Sequence, residues 1–203
     1  FEAGATEILA VREVEEAFAA RAEFSDALLY GERGGLPPKG FDYGNSPRMV
    51  ETARGRRVVF TTTTGAGRLV DCWGAEAACM GSTVNATAVA RAAASHGKDV
   101  VLIPAGLMSG PNFDAQEDWV AATVIAMRAG YPIGEGRDDF EQWRARIESE
   151  GVEPLFESAP HAQKLRNAGL EDDIPFCAQV DIATAVPKAA ARHGLGVVLR
   201  NAG

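Results

Sequence analysis

Long apolar runs are missing from this sequence. The longest, such as Val100-Val101-Leu102-Ile103, are strand-sized, far short of the ~20 apolar residues that a membrane-spanning helix needs. No membrane partner is expected. The opening Phe1-Glu2-Ala3-Gly4-Ala5 has no basic stretch followed by an apolar one, which argues against a signal peptide. Cysteine is scarce. Cys72, Cys79 and Cys177 form no C-x-x-C pair and are odd in number, which argues against a disulfide framework and for a reducing cytoplasm. His96, His161 and His193 show no ligand-like spacing, so a histidine-based zinc site is not expected. Basic residues are outnumbered: 20 Lys and Arg against 28 Asp and Glu give a formal net charge of −8. That balance argues against nucleic-acid binding, which wants a basic face. It also requires any pocket for an anion to be locally positive against the global field.

What is present is an ordinary globular mixture. The chain has 203 residues, 46% apolar and 24% charged, enough for one substantial core. One domain and two closely packed lobes both fit that length. Strand-like and helix-like runs alternate. Ile8–Val11, Ala27–Tyr30, Val58–Thr61, Ala77–Met80 and Val100–Ile103 read as strands. Val14–Ala22, Ala66–Asp71, Ala86–His96 and Gln116–Ala129 read as helices between and after them. Such β-then-α units predict an α/β fold with a mostly parallel or mixed sheet covered by helices.

After Gly130 the texture changes. Tyr131-Pro132 breaks the helix, and Asp138 with Glu141 at capping-box spacing opens another, striped by Phe140, Trp143 and Ile147. A further helix is expected over His161–Ala168 and a last strand at Val197–Leu199. The expectation is a single α/β domain over 1–203, in which 131–203 could form a subdomain.

In open parallel sheets, ligands bind beyond the carboxyl ends of the strands. Four loops there are polar or glycine-rich. The first, Gly31 to Ser46, has no periodicity. It holds Arg33, suited to a bidentate grip on phosphate or sulfonate, and Glu32 and Asp42, hard oxygen donors of the kind Mg²⁺ prefers. Ser46-Pro47 reads as an N-cap with proline at the first helical position. A solvated turn explains the same residues. The second, Thr61-Thr62-Thr63-Thr64-Gly65-Ala66-Gly67-Arg68, can surround phosphate oxygens, or can be a strand running into a turn. It is neither a P-loop nor a complete dinucleotide fingerprint, because Val70 stands where a third glycine would be. The third is Gly81-Ser82-Thr83-Val84-Asn85, where capping by Asn85 is a sufficient explanation. The fourth runs from Ala105-Gly106 to Asp114 and opens the helix at Gln116-Glu117-Asp118. Adjacent carboxylates could hold a metal, yet Asp114 and Glu117 also sit at capping-box spacing, and acids in a first turn offset the helix dipole.

Covalent routes find no support. The sixth residue after each cysteine is Ala78, Asn85 or Ala183, never the arginine of a thiol phosphatase. Asp-x-Asp followed by threonine and Gly-x-Ser-x-Gly are both absent. Cys79 and Cys177 read as small apolar residues. Direct attack by water, assisted by a metal, is what remains.

The strings Gly31-Glu32-Arg33-Gly34-Gly35, Gly40-Phe41-Asp42-Tyr43-Gly44-Asn45-Ser46-Pro47, Thr61-Thr62-Thr63-Thr64-Gly65, Gly81-Ser82-Thr83-Val84-Asn85-Ala86 and Ala105-Gly106 with Glu117-Asp118 occur in one order along the chain. Together with Leu165–Gly169, Asp173-Ile174, Phe176-Cys177-Ala178 and Val186-Pro187, they resemble the 2-phosphosulfolactate phosphatases. The resemblance implies a layered α/β/α fold. It also implies Mg²⁺-dependent hydrolysis of 2-phosphosulfolactate to sulfolactate and phosphate, a step of coenzyme M biosynthesis. Two departures accompany it. Thr62-Thr63-Thr64-Gly65-Ala66 stands where the family usually has Thr-Thr-Asn-Gly-Thr. The family's opening strand and Asp-Val-x-Arg-Ala-Thr-type segment is expected to lie before Phe1.

On this resemblance Asp42, Glu117 and Asp118 would hold Mg²⁺. Glu32, Asp42 and Asp118 are the candidate catalytic carboxylates, one of which would orient the attacking water. Arg33, Gly34, Gly35, Asn45, Ser46, Thr62, Thr63 and Asn85 would bind the substrate. The expected partner is a small anionic phosphate ester, and a homodimer is compatible with the sequence. Two other readings stay open: a non-catalytic domain that binds a phosphorylated metabolite on the same loops, and a nucleotide-dependent oxidoreductase resting on Gly65-x-Gly67 alone.

Overall fold

A computed structural model describes residues 1–106 and 115–203. The chain divides into two compact units, one of Phe1–Met80 with Ala185–Ala202, the other of Gly81–Thr184 with Gly203.

The first unit is built on a mixed five-stranded sheet. Its strands are β1 (Glu7–Ala10), β2 (Leu28–Gly31), β3 (Arg57–Thr61), β4 (Pro187–His193) and β5 (Gly196–Asn201), in the order β2-β3-β1-β5-β4. β2, β3 and β1 run parallel, β5 is antiparallel to β1, and β4 is antiparallel to β5. The expected α/β class and the parallel trio are therefore present. Alternation along the strands makes two apolar faces. Leu9, Leu29, Val59 and Val198 face α1 (Val14–Glu23), whose Ala17 and Ala20 are small enough to let the helix lie close. Ala10, Val197 and Leu199 face α2 (Gly65–Asp71) through its Ala66, Leu69 and Val70. On that same side, Tyr30 and Val58 pack with Ala53 of the 3-10 helix Pro47–Ala53. The result is helix, sheet and helix in three layers. Val58 and Val59, neighbours on β3, are both buried, as a central parallel strand covered on both faces requires.

β4 lies where no strand is expected from the sequence. It joins β5 through the two-residue turn Gly194-Leu195, with Gly194 at φ 56°. The expected strand at Ala77–Met80 is reduced to one antiparallel bridge, Cys79 to Lys188, on the outer edge of β4.

The second unit is helical. Its elements are a 3-10 turn at Thr83–Asn85 and the helices α3 (Ala86–Ala94), α4 (Gln116–Ala129), α5 (Arg137–Glu150), α6 (Val152–Glu157), α7 (Pro160–Asn167) and α8 (Asp173–Cys177). Its core gathers Ala86 and Ala90 of α3, Val120, Val124 and Ile125 of α4, and Leu155 of α6, with Trp143 and Ile147 of α5 packed against them. Gly81 is required at the entry: a Cβ there would stand 2.7 Å from Ile125 Cδ1. The strand expected at Val100–Ile103 does not form. Leu102 packs on the helical core while Val101 is 78% exposed. No helix among the described residues is long and apolar enough to cross a membrane.

Candidate active site

Parallel strands deliver their carboxyl ends to one edge, and the loops that follow β2 and β3 meet there. The approach is close. A Cβ on Gly31, the last residue of β2, would stand 2.2 Å from the carbonyl oxygen of its register partner Thr61. Glu32 follows. Its Oε2 accepts the Gly35 N–H at 2.9 Å and its Oε1 accepts the Thr63 N–H at 2.7 Å. Burial opposes ionisation of this carboxyl. The Thr63 and Gly35 amides, the Thr63 hydroxyl and the Arg33 charge outweigh it and hold Glu32 below the ordinary glutamate range.

Arg33 is fixed by oxygens that carry no full charge. Nη1 donates to the Glu32 carbonyl at 2.7 Å, and Nη2 donates to the Arg12 carbonyl at 2.6 Å and to Thr61 Oγ1 at 3.0 Å. Gly34 and Gly35 turn the chain with φ of 65° and 86°, and a Cβ on either would meet nothing within 4 Å. Thr62 Oγ1 accepts the Ala66 N–H at 3.1 Å, closing the first turn of α2. Glu32, Arg33, Gly35, Thr61 and Thr63 therefore form one bonded cluster. Glu32, expected as a catalytic carboxylate, has each of its oxygens accepting one backbone amide.

Asp42 has different partners. Its Oδ2 accepts the Leu29 N–H at 2.8 Å and pairs with Arg21 Nη1 at 2.6 Å. Leu29 lies on β2, the edge strand, so Asp42 satisfies an outward amide and ties the following loop to the sheet. Its expected place as a metal ligand competes with these two donors. Ser46 caps the 3-10 helix as expected, its Oγ accepting the Arg48 N–H at 3.4 Å, and Asn45 beside it is exposed.

In the second unit, Asn85 works with Ser82. Asn85 Oδ1 accepts the Ser82 N–H at 2.9 Å, and the Ser82 side chain accepts the Asn85 N–H, a reciprocal capping box. At the start of α4, Ala115 occupies the N-cap position without a side-chain bond. Asp114, expected to share a capping box with Glu117, lies outside the described residues. Asp118 Oδ2 accepts the Gly106 N–H at 2.9 Å. Burial raises the Asp118 carboxyl above the ordinary range; Gly106 opposes this, neighbouring Glu117 adds to it, and His161 counteracts it. Glu117 Oε1 is paired with His161 Nδ1, while Glu117 Oε2 is buried with no hydrogen-bond partner among the described residues. His161 is a residue that sequence spacing did not single out, since it and Glu117 lie 44 positions apart.

Among the described residues, no three His, Cys, Asp or Glu side chains gather as metal ligands would. Mg²⁺ does not need three, because it commonly takes one or two carboxylates and completes its shell with water and substrate phosphate oxygens. The Glu117-Asp118 pair, with one buried oxygen that has no partner among the described residues, fits such a cation. Two of the three thiols are held in the protonated, less nucleophilic form: burial pushes Cys79 up, and burial with nearby Asp173 pushes Cys177 up to about 11.

The family model for 2-phosphosulpholactate phosphatase matches residues 1–192. The chain belongs to the 2-phosphosulfolactate phosphatase family. A relative from Carboxydothermus hydrogenoformans, named a probable 2-phosphosulfolactate phosphatase, is 33% identical over 196 residues, covering 97% of this chain and 82% of its own. One from Deinococcus radiodurans with the same name is 36% identical over 195 residues, 92% of this chain and 79% of its own. A third, from Pseudothermotoga lettingae, is 35% identical over 187 residues, with 91% and 79% covered. By name these relatives are phosphoric monoester hydrolases.

Proposed function

We propose that this chain hydrolyses 2-phosphosulfolactate to sulfolactate and phosphate, with Mg²⁺ as cofactor, in the cytoplasm and within coenzyme M biosynthesis. The observation that carries the reading is the family match across residues 1–192. The ordered loops after β2 and β3 support it as the place for an anion.

In the reaction, a water oxygen attacks phosphorus, the bond from phosphorus to the C2 oxygen breaks, and that oxygen leaves with a proton. Glu117 and Asp118 would hold Mg²⁺, which when bound neutralises charge on the phosphoryl oxygens. Asp118, anchored through Oδ2 by Gly106, is the carboxylate we assign to orienting the water. Glu32 braces the Gly31–Gly35 turn against Thr63, and Arg33 places a positive charge there that offsets the acidic field of the chain. With the turn so held, the Gly34 backbone and the Thr62, Thr63, Asn45 and Ser46 side chains are assigned to the anion. Asp42 is assigned to holding the Gly40–Pro47 loop on β2 rather than to the cation, because Arg21 and Leu29 engage its carboxylate.

Phosphate release from 2-phosphosulfolactate, followed with chelator and with Mg²⁺ restored, tests the reading. Release is expected to stop in chelator, return with Mg²⁺, and fall by ~10²-fold or more in Asp118→Asn. Release indifferent to chelator removes the cation from the mechanism. Tight binding of the ester without release would replace the enzyme by a non-catalytic phosphometabolite-binding domain.

A further inference from the structure

We infer that His161 is a positioning residue, whose Nδ1 holds one oxygen of Glu117 so that the other is presented to a divalent cation. The inference rests on the assignment of Glu117 and Asp118 to the cation and adds a third residue, from a different helix.

Three observations carry it. Glu117 lies in the first turn of α4, where the helix dipole explains an acidic residue but not an oxygen that is buried and has no hydrogen-bond partner among the described residues. Leaving a buried acceptor unsatisfied costs about 1–3 kcal/mol, and more when the group is charged. A ligand that fills the position accounts for such an atom. The second observation is the pairing of the other oxygen, Oε1, with His161 Nδ1. An ionised carboxylate only accepts, so Nδ1 carries the hydrogen, and the bond fixes both the ring tautomer and the rotation of the carboxylate. With 25% and 26% of their side chains exposed, His161 and Glu117 are far more covered than a loose surface ion pair. The third is the neighbour. Asp118 is tied to the protein through its own Oδ2 by Gly106, so both carboxylates are held by one oxygen each. That is the arrangement by which groups behind a metal's direct ligands aim those ligands.

The position of His161 suits the task. α7 opens with Pro160 at its first position, so the ring projects from the first, proline-stiffened turn, and Ala162 beside it is buried. A ring held on such a turn loses little further freedom when it grips Glu117.

Calorimetric titration of the full chain with Mg²⁺, and with Mn²⁺ as a second probe, tests this without any turnover measurement. His161→Leu is expected to weaken cation affinity by about 10- to 100-fold, the usual cost of removing such support. His161→Asn, whose amide nitrogen can donate from near the Nδ1 position, is expected to recover most of that loss. The double variant Glu117→Gln with His161→Leu is expected to bind no more weakly than Glu117→Gln alone. Where circular dichroism shows that His161→Leu does not fold, His161→Asn against the longer His161→Gln carries the comparison, with Asn expected to bind the more tightly. Unchanged affinity in His161→Leu, or equal affinity in the Asn and Gln variants, overturns the inference. So does a loss from His161→Leu that persists in full beside Glu117→Gln. Weak binding in Glu117→Gln with normal binding in His161→Leu overturns it while leaving the cation assignment standing. An unsubstituted chain that binds neither cation overturns both.

Discussion

The carboxylate of Glu32, one residue past the end of β2, takes the backbone N–H of Thr63, two residues past the end of β3, at 2.7 Å. Adjacent parallel strands would otherwise release two polar loops side by side with their amides unpaired. Glu32 closes both, since its second oxygen holds Gly35 in the same turn.

Glu32→Gln is expected to lower stability at neutral pH by about 1–2 kcal/mol, allowing for its half-exposed setting. The glutamine nitrogen would face an N–H donor at one of the two bonds. The carboxyl is held below its ordinary value of 4.5 in the folded chain. Its contribution is therefore present above that value and is lost as pH falls through the lower folded one. Urea midpoints of the two proteins should accordingly differ at pH 7 and converge in acid below 4.5. A gap that stays constant into acid would remove the carboxylate from this role.

Gly31→Ala tests the approach of the two strands. The new methyl would stand 2.2 Å from a backbone carbonyl that cannot move without opening the β2–β3 ladder. About 3 kcal/mol of destabilisation is expected, at the upper end of the usual cost of overpacking. Gly34→Ala is the control. It has open space around it and only its φ of 65° to oppose the methyl, so about 1 kcal/mol is expected. Denaturant titration ranks the two, and the reverse order would mean that Gly31 is not held as described.

Asp42 separates a clamp from a reacting group. Asp42→Asn keeps an acceptor for the Leu29 N–H and removes the charge that Arg21 faces. For this partly exposed pair the expected loss is about 0.5–1 kcal/mol, with turnover following the folded fraction. Asp42→Ala removes both contacts and should be the less stable. A folded Asn variant that loses ~10²-fold in kcat would return Asp42 to the reacting groups.

Much of this architecture was legible where apolar side chains alternate or run together. Val58-Val59-Phe60, Leu28–Tyr30 of the expected Ala27–Tyr30, and Val197–Leu199 are strands in the fold because each has a partner on at least one side and a helix on a face. α4 spans Gln116–Ala129 as its periodicity indicates. The misses have physical causes. Pro187–His193 is rich in alanine and basic residues and half-exposed, so nothing in its composition marks a strand; the tight turn to β5 makes it one. Val100–Ile103 has the composition of a strand but no β partner among the described residues, and hydrophobicity alone does not supply a ladder. At the site, the loops could be named from their glycines and hydroxyls, but not the direction of each side chain. Glu32 and Asp42 carry the residue type for metal binding, and in the fold their carboxylates also accept backbone amides, which residue type alone does not reveal. His161 reaches Glu117 through the packing of helices that no local spacing encodes.

Asp118 gives the sharpest opposition between stability and function. Its carboxyl is largely withdrawn from water and stands beside a second carboxylate, Glu117, and one backbone N–H is the compensation its Oδ2 receives from Gly106. A charge kept under those conditions weakens the folded state unless a cation shares it. Asp118→Asn preserves an acceptor for Gly106 and discards the charge. In chelator, that variant is expected to be more stable than the unsubstituted chain by about 1 kcal/mol, visible as a higher Tm. On adding Mg²⁺, the order should reverse, because the unsubstituted chain, with both carboxylates, gains the more binding energy in its folded form. A Tm for Asp118→Asn that is lower in chelator would show that the carboxylate is already compensated within the protein. Its assignment to cation-assisted hydrolysis would then lose its physical basis.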